Sequence, residues 1–423
     1  MLSQRFSFCS NQSITIFAAL AILACASVGA PSAHAQTFTV LHKFAGPPDG
    51  GFPNGGVILD SKGNIYGTTS EGGTGSCDGG CGTVFELSQS GKETILYSFT
   101  GTNGDGKYPQ GGLARDASGN LYGTTYGGGT SGTACEGYGC GTVFMLTPTG
   151  TETVLYSFSG GVDGATPEAG VVRDSNGNLY GTTKLGGVYN WGAVFTVDAS
   201  GTESVLHSFD GAHSDGGDPV GGLILDSAGM LFGTSQGGGI INEHCLPDLA
   251  IGCGTVFQIS TAGAESVLYD FTGYKDGNTP SGNVAQDSEG NLYGTSQPFP
   301  TPVGYGTIFE LDAAGKFTVL HTFTGGAGGA DPFAGLIRDS AGNLYGTTYQ
   351  GGGGGATCQT YDGGCGVAFE YTHAGKFIVL HSFTGGADGG WLFAPLALDS
   401  GGNLYGTANI GGLGDGTLFK IVP

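Results

Sequence analysis

Four short apolar runs recur in a fixed order along the chain. One instance reads Gly112-Leu113-Ala114-Arg115-Asp116, Asn120-Leu121-Tyr122-Gly123-Thr124, Gly141-Thr142-Val143-Phe144-Met145-Leu146 and Thr153-Val154-Leu155-Tyr156-Ser157-Phe158. Each run is rich in Val, Leu, Tyr and Phe and is bounded by Gly, Asn, Asp or Ser. Each is too short for a helix, so each is predicted to be a β-strand. Asp-Ser-x-Gly-Asn, as at Asp174 to Asn178, joins the first run to the second. A tight turn such as Ser200-Gly201-Thr202 joins the third to the fourth. Both are hairpin signals built from residues that tolerate positive φ.

The whole unit repeats. Gly119 to Thr125 returns from Gly177, Gly290 and Gly342, and with small changes from Gly63, Gly229 and Gly402. The copies are spaced by roughly 50 to 60 residues, the size of a propeller blade. Four antiparallel strands taken seven times predict an all-β fold, a seven-bladed β-propeller of four-stranded antiparallel blades. The mature chain starts on a fourth-strand run, Phe38 to Phe44, and stops after a third-strand run, Gly416 to Ile421. The ring should therefore be closed by the N-terminal strand completing the last blade, which leaves no lone edge. An open β-solenoid of the same units is the alternative.

Composition agrees once the period is known. The 88 glycines in 423 residues would argue for disorder in an aperiodic chain. Here most stand at hairpin turns, inside the second strand after its Tyr, before the first and third strands, and in the loops of one rim. The formal net charge of −22 disfavours nucleic acid and anionic membrane surfaces as partners.

Arg5, an apolar run from Ile14 to about Val28, and Ser32-Ala33-His34-Ala35 read as a signal peptide over residues 1–35, cleaved after Ala35. Residues 36–423 then form a single seven-repeat domain, secreted or periplasmic and expected to be a monomer. Lipid attachment at Cys25 is the alternative processing. No other stretch approaches the ~20 apolar residues of a membrane span.

Eight cysteines remain beyond the leader, in close pairs: Cys77 with Cys81, Cys135 with Cys140, Cys245 with Cys253 and Cys358 with Cys365. Each pair lies between the second and third strands of its blade. In an exported chain this reads as four disulfides within loops. Zinc is the alternative, but each loop supplies only two thiols.

Loop length separates two rims. The turns between strands one and two, and three and four, are short and uniform. The loops between strands two and three share the other rim with the blade-to-blade connections, and these are long and variable. Function is expected there.

The connections carry Asp-Gly-x-x-Pro, with Asp49, Asp105, Asp163, Asp215 and Asp276 as the acids. As structure this is a turn with a rigid exit. As chemistry the carboxylates would ring the channel mouth and hold Ca²⁺. Asp60, Asp116, Asp174, Asp226, Asp287, Asp339 and Asp399 also recur once per blade, as turn residues accepting backbone N–H groups. At one fourth-strand position His42, His207, His321 and His381 exchange with Tyr97, Tyr156 and Tyr269, which marks packing rather than catalysis.

Residues that break the repeat point to ligand binding. Trp391 and Phe393 replace a proline-containing segment, and Tyr189 and Trp191 sit in a short loop of the third unit. Tyr108, His213 and His244 share this rim, as do Tyr126, Phe333 and Tyr349. Exposed aromatics among Asn, Asp and Gly suit a sugar-stacking or protein-binding surface; the structural reading is that they cap the blades. Glu71, Glu136, Glu243 and Asp248 are further off-pattern acids on it. No His-Glu-x-x-His, Gly-x-Ser-x-Gly, phosphate loop or dinucleotide fingerprint occurs.

The unit Asp-Ser-x-Gly-Asn-Leu-Tyr-Gly-Thr-Thr, a Gly-rich loop, Gly-Thr-Val-Phe-x-Leu and Val-Leu-Tyr-Ser-Phe-x-Gly-x-x-Asp-Gly resembles the GloVer (Gloeo-Verruco) tandem repeat of exported bacterial proteins. The resemblance covers the mature chain, implies export and a propeller-like domain, and supplies no catalytic residues. The expected function is a binding module for a glycan or an envelope protein. A propeller lactonase, glycosidase or polysaccharide lyase is the competing class.

Overall fold

A computed structural model describes residues 36–129, 135, 137–212, 215–242, 245, 252–297, 305–353, 358 and 364–423. The signal peptide and the Cys25 alternative lie outside them, as do His213, His244, Glu136, Glu243 and Asp248. Among the described residues, seven four-stranded antiparallel sheets follow one another along the chain. Together they form a seven-bladed β-propeller. In blade 2 the strands are Ala114–Arg115, Leu121–Thr125, Thr142–Leu146 and Glu152–Ser157, from the channel outward. In blade 7 three strands, Ala397–Leu398, Leu404–Ala408 and Thr417–Val422, are completed by Thr37–Lys43. That strand pairs antiparallel with Thr417–Val422, from Thr37 opposite Val422 to Lys43 opposite Thr417. The predicted closure of the ring is what forms.

Two repeat positions build the core. Each blade's third strand carries a Phe (Phe85, Phe144, Phe195, Phe257, Phe309, Phe369 and Phe419), and its ring lies over the Gly of the second strand. A Cβ on Gly123, for example, would come within 2.7 Å of the Phe144 ring. This is why the second strand reads Leu-Tyr-Gly-Thr. A second Phe follows each fourth strand and meets the third-strand Phe of the next blade. The ring centroids are 5.0 to 5.4 Å apart, from Phe44 on Phe85 round to Phe383 on Phe419. Blade-to-blade packing is thus one contact made seven times.

Polar positions lock the same junctions. The first Thr after that Gly donates its hydroxyl to a carbonyl of the next blade's channel-lining segment: Thr68 to Gly111, Thr124 to Ala169, Thr182 to Gly221, Thr234 to Gly282, Thr295 to Ala334, Thr347 to Ala394 and Thr407 to Gly55. The last of these links blade 7 to blade 1. All seven turn aspartates accept backbone N–H groups as the sequence suggests, and six accept from an Asn amide and a Tyr hydroxyl as well: Asp174 accepts from the backbone N–H of Asn176 and Asn178, the Asn178 amide and the Tyr180 hydroxyl. Burial works against ionisation, but these hydrogen bonds hold its carboxyl below the usual range. Asp226 accepts from the backbone N–H groups of Ala228 and Met230 but has no amide donor, because Met230 stands where the other units carry Asn.

Candidate functional site

The channel mouth is built from one backbone device. Each connection passes through a residue just ahead of the Pro position, and all seven take positive φ although none is glycine: Phe52, Tyr108, Thr166, Asp218, Thr279, Asp331 and Trp391, between 38° and 58°. Such a backbone costs about 1 to 2 kcal/mol at an L-residue and persists only where its surroundings dictate it. They do so here. The N–H of Tyr108 donates to Cys81 of the preceding blade, and its carbonyl accepts from the N–H of Tyr126 in its own. Trp391 is held likewise between Cys365 and Asn409, and Asp218 between Trp191 and Gln236. Blade geometry fixes the backbone and leaves the side chain free to vary.

Two residues on, each chain enters the channel. A cavity of about 410 Å³ is lined by the small residues of these segments, such as Gly55, Gly111, Ala169 and Gly282. The residue at the head of each segment varies, with only blades 6 and 7 alike: Asn54, Gln110, Glu168, Val220, Ser281, Phe333 and Phe393. Beside them stand the residues that follow each second strand, among them Lys184, Gln236, Tyr349 and Asn409. The mouth is therefore asymmetric on a symmetric frame. On blades 6 and 7 Phe393 lies edge-on to Phe333 at 5.5 Å and 4.9 Å from Tyr349, and Tyr349 is 5.9 Å from Trp391. Elsewhere on the mouth are polar groups. Lys184 Nζ meets Glu168 Oε1 at 3.0 Å. The Asn409 amide donates to Asn54 Oδ1 at 2.6 Å, and the Gln236 amide to Ser281 Oγ at 2.7 Å. Burial raises the Asp218 carboxyl, Lys184 lowers it, and Glu168 raises it further; burial alone pushes Asp331 up to about 6.

The sequence-derived aromatics divide. Trp391 and Phe393 come together at the mouth with Phe333 and Tyr349, and Tyr108 takes the matching slot on blade 2. Tyr189 is exposed on the blade 3 loop. Trp191 is elsewhere: a Cβ on Gly211 would fall 2.6 Å from its indole, and one on Gly217 2.9 Å. It immediately precedes the third-strand glycine, where blades 1, 2, 4 and 6 carry Cys81, Cys140, Cys253 and Cys365 and blade 5 carries Tyr305. The four disulfides, Cys77–Cys81, Cys135–Cys140, Cys245–Cys253 and Cys358–Cys365, are formed. Trp191 and Tyr305 fill their slot in blades without one. Sequence reasoning missed Glu168, Lys184, Asn54 and Asn409, whose signal was variability at a fixed repeat position.

The connection aspartates are placed outward from the mouth, against the fourth strands. Asp105 accepts from the Tyr97 hydroxyl and from the Thr100 N–H and hydroxyl. Asp163 and Asp276 repeat this with Tyr156 and Tyr269, and Asp49 and Asp215 bond His42 and His207. Each is thus engaged within its own connection, and the five do not share a site. From the next blade a Glu approaches four of them: Glu93, Glu152, Glu203 and Glu265. Burial, and then the charge of Asp105, push Glu152 up to about 7; burial and Asp163 do the same to Glu203, against a Tyr156 hydrogen bond.

These two acids are protonated more readily folded than unfolded, so their contribution is full below the ordinary Glu range and lost as pH rises through about 7. The wild type should therefore lose stability between pH 5 and 8, by on the order of 1 kcal/mol per site after solvent screening. Glu152→Gln/Glu203→Gln should flatten that part of the melting-temperature profile. An unchanged profile would refute the assignment.

A family profile described as the Gloeobacter/Verrucomicrobia repeat matches residues 30–172, 131–361 and 249–423. Comparison with curated proteins gives no match. Among solved structures, virginiamycin B lyase from Staphylococcus aureus aligns at 13% identity and a TM-score of 0.55, over 92% of this chain and 99% of that one. The extracellular domain of a hybrid two-component system from B. thetaiotaomicron aligns at 15% and 0.51, over 92% of this chain and 41% of that one. Likeness at this identity concerns the fold. The four disulfides indicate an oxidising, extracellular environment. Among the described residues no helix is long and apolar enough to cross a membrane.

Proposed function

The chain belongs to the Gloeobacter/Verrucomicrobia repeat family, and from that premise we propose that it is an exported binding module that takes carbohydrate at the channel mouth. One observation carries this reading: Trp391, Phe393, Phe333 and Tyr349 form an aromatic wall on blades 6 and 7, and amides and an ion pair stand elsewhere on the same mouth. Sugars present apolar C–H faces to aromatic rings and hydroxyls to amides and carboxylates, so such a mouth suits both. The cavity volume falls within the range of small-ligand sites. The Cys358–Cys365 disulfide supports the reading, because the Cys365 carbonyl accepts from the N–H of Trp391, and processing after Ala35 would deliver the chain to the compartment where disulfides form.

A second reading, a hydrolase or lyase at the same mouth, rests on Glu168, Lys184 and Asp218, one carboxylate paired with a cation and another raised by burial. It requires turnover that Glu168→Gln abolishes.

The test is a glycan and polysaccharide array with the secreted protein, with and without Ca²⁺. Wild type should retain a ligand. Trp391→Ala and Phe393→Ala should weaken it at least ~10-fold, the loss of one or two stacking contacts. Tyr189→Ala should not. Retention of nothing, or equal retention by Trp391→Ala, would sink the proposal.

A further inference from the structure

We propose that His207, Asp215 and Glu265 form a binding site for a divalent ion of the zinc class, built across the junction of blades 3 and 4. His207 lies on the outermost strand of blade 3, Glu203–Ser208, and Asp215 in the connection that follows. Glu265 begins the outermost strand of blade 4, Glu265–Asp270. One ligand atom from each lies within 4.8 Å of the other two, and among the described residues no other group of three His, Cys, Asp or Glu side chains meets that condition. His207 Nε2 is 3.0 Å from Asp215 Oδ1, with the side chains 21% and 13% exposed. Glu265 Oε1, like its counterparts on Glu93, Glu152 and Glu203, is shut off from solvent with no hydrogen-bond partner, and among the described residues it alone has both a His and an Asp within 4.8 Å. A buried carboxylate oxygen without a donor is costly, and a cation would satisfy it. An imidazole nitrogen with two carboxylates is a zinc-type donor set, open to water in the fourth position. Calcium would require six or more oxygens.

The other junctions act as internal comparisons, because the same slot is filled three ways. Between blades 1 and 2, and 2 and 3, Tyr97 and Tyr156 replace the His and donate to Asp105 and Asp163. Between the later blades an aromatic replaces the Glu: Phe317 stacks on Tyr269 at 4.0 Å, Phe377 on His321 at 4.1 Å and Phe38 on His381 at 3.7 Å. Neither solution offers a metal the three ligands of the 3/4 junction, although the Tyr junctions keep the buried Glu152 and Glu203 oxygens. The remaining junction, blades 7 and 1, has the same residue types in His42, Asp49 and Glu93, with His42 and Asp49 farther apart at 3.3 Å. Asp210, beside the 3/4 site, adds negative potential toward His207 and Glu265. An ion there would join two blades and stabilise the ring by binding only the folded chain.

The protein's own repeat supplies the control. His207→Tyr installs the residue of the two Tyr junctions, so it should fold while losing a ligand. Chelator-stripped secreted protein should take up one Zn²⁺ per chain in a calorimetric titration, and its melting temperature should rise with Zn²⁺. His207→Tyr and Glu265→Gln should each weaken uptake at least ~10-fold and abolish the rise; His42→Tyr should do neither. No uptake by wild type, or uptake lost in His42→Tyr but kept in His207→Tyr, would overturn the proposal. The readout is independent of carbohydrate, so it stands or falls apart from the channel-mouth reading.

Discussion

Deleting residues 36–44 should abolish cooperative folding of the ring, giving an aggregated product with no single unfolding transition. The segment is the fourth strand of blade 7, and it carries two aromatics the core relies on. Phe44 is fully buried and meets Phe85 of blade 1 at 5.2 Å. Phe38 stacks on His381 and lies 5.6 Å from Phe419. Losing two such side chains costs about 3 to 5 kcal/mol each, against a total stability of about 5 to 15 kcal/mol. Thr417–Val422 would become an unpaired apolar edge, a template for pairing with other chains. Size-exclusion chromatography and thermal unfolding decide it: a monomeric truncation with an unchanged midpoint would show that the ring does not depend on this closure.

Gly141→Ala should be strongly destabilising for so small a substitution, at about 3 kcal/mol or more. Gly141 precedes the third strand of blade 2 with φ +96°, where any side chain is strained. A Cβ would also stand 2.3 Å from the Thr125 carbonyl oxygen and 2.7 Å from Pro167 Cδ, which belongs to the next connection. Neither neighbour can yield, since one is strand backbone and the other follows the positive-φ residue Thr166. Gly315→Ala separates the two costs: its φ is +84°, but nothing lies within 4 Å of an added Cβ. It should lose only the backbone part, about 1 to 2 kcal/mol. Denaturant midpoints showing equal losses would mean that the blade-to-blade contact is unimportant.

These expectations show what was legible in the sequence. The strands, blade count and closure could be read because every blade solves the same packing problem with the same residues. Leu-Tyr-Gly-Thr recurs because a Phe ring needs the Gly and a neighbouring carbonyl needs the Thr. Local cysteine pairs could be read for a similar reason, their partners being few residues apart. The mouth was harder. Asn54 meets Asn409 across 355 residues of sequence, because the ring joins its ends there. Glu168 and Lys184 look like ordinary surface charges until the channel brings their positions side by side. Trp391 breaks the pattern and lies at the mouth beside Tyr349. Trp191 breaks it too but serves packing, filling a slot that other blades give to a cysteine. The connection acids were placed on the right rim, yet nothing in Asp-Gly-x-x-Pro reveals that each side chain turns back to its own fourth strand. Positive φ at seven non-glycine positions left no mark in the sequence, since its cause is the carbonyl of the preceding blade.

The binding claim has a direct optical test. The chain contains two tryptophans. Trp191→Tyr copies the Tyr305 solution of blade 5 and leaves Trp391 as the sole indole reporter. Titrating this variant with the polysaccharide retained on the array should give a saturable change in tryptophan emission, with a midpoint matching wild-type affinity and shifted at least ~10-fold by Phe393→Ala. Binding that leaves Trp391 emission unchanged and is indifferent to Phe393→Ala would contradict a carbohydrate site at the channel mouth.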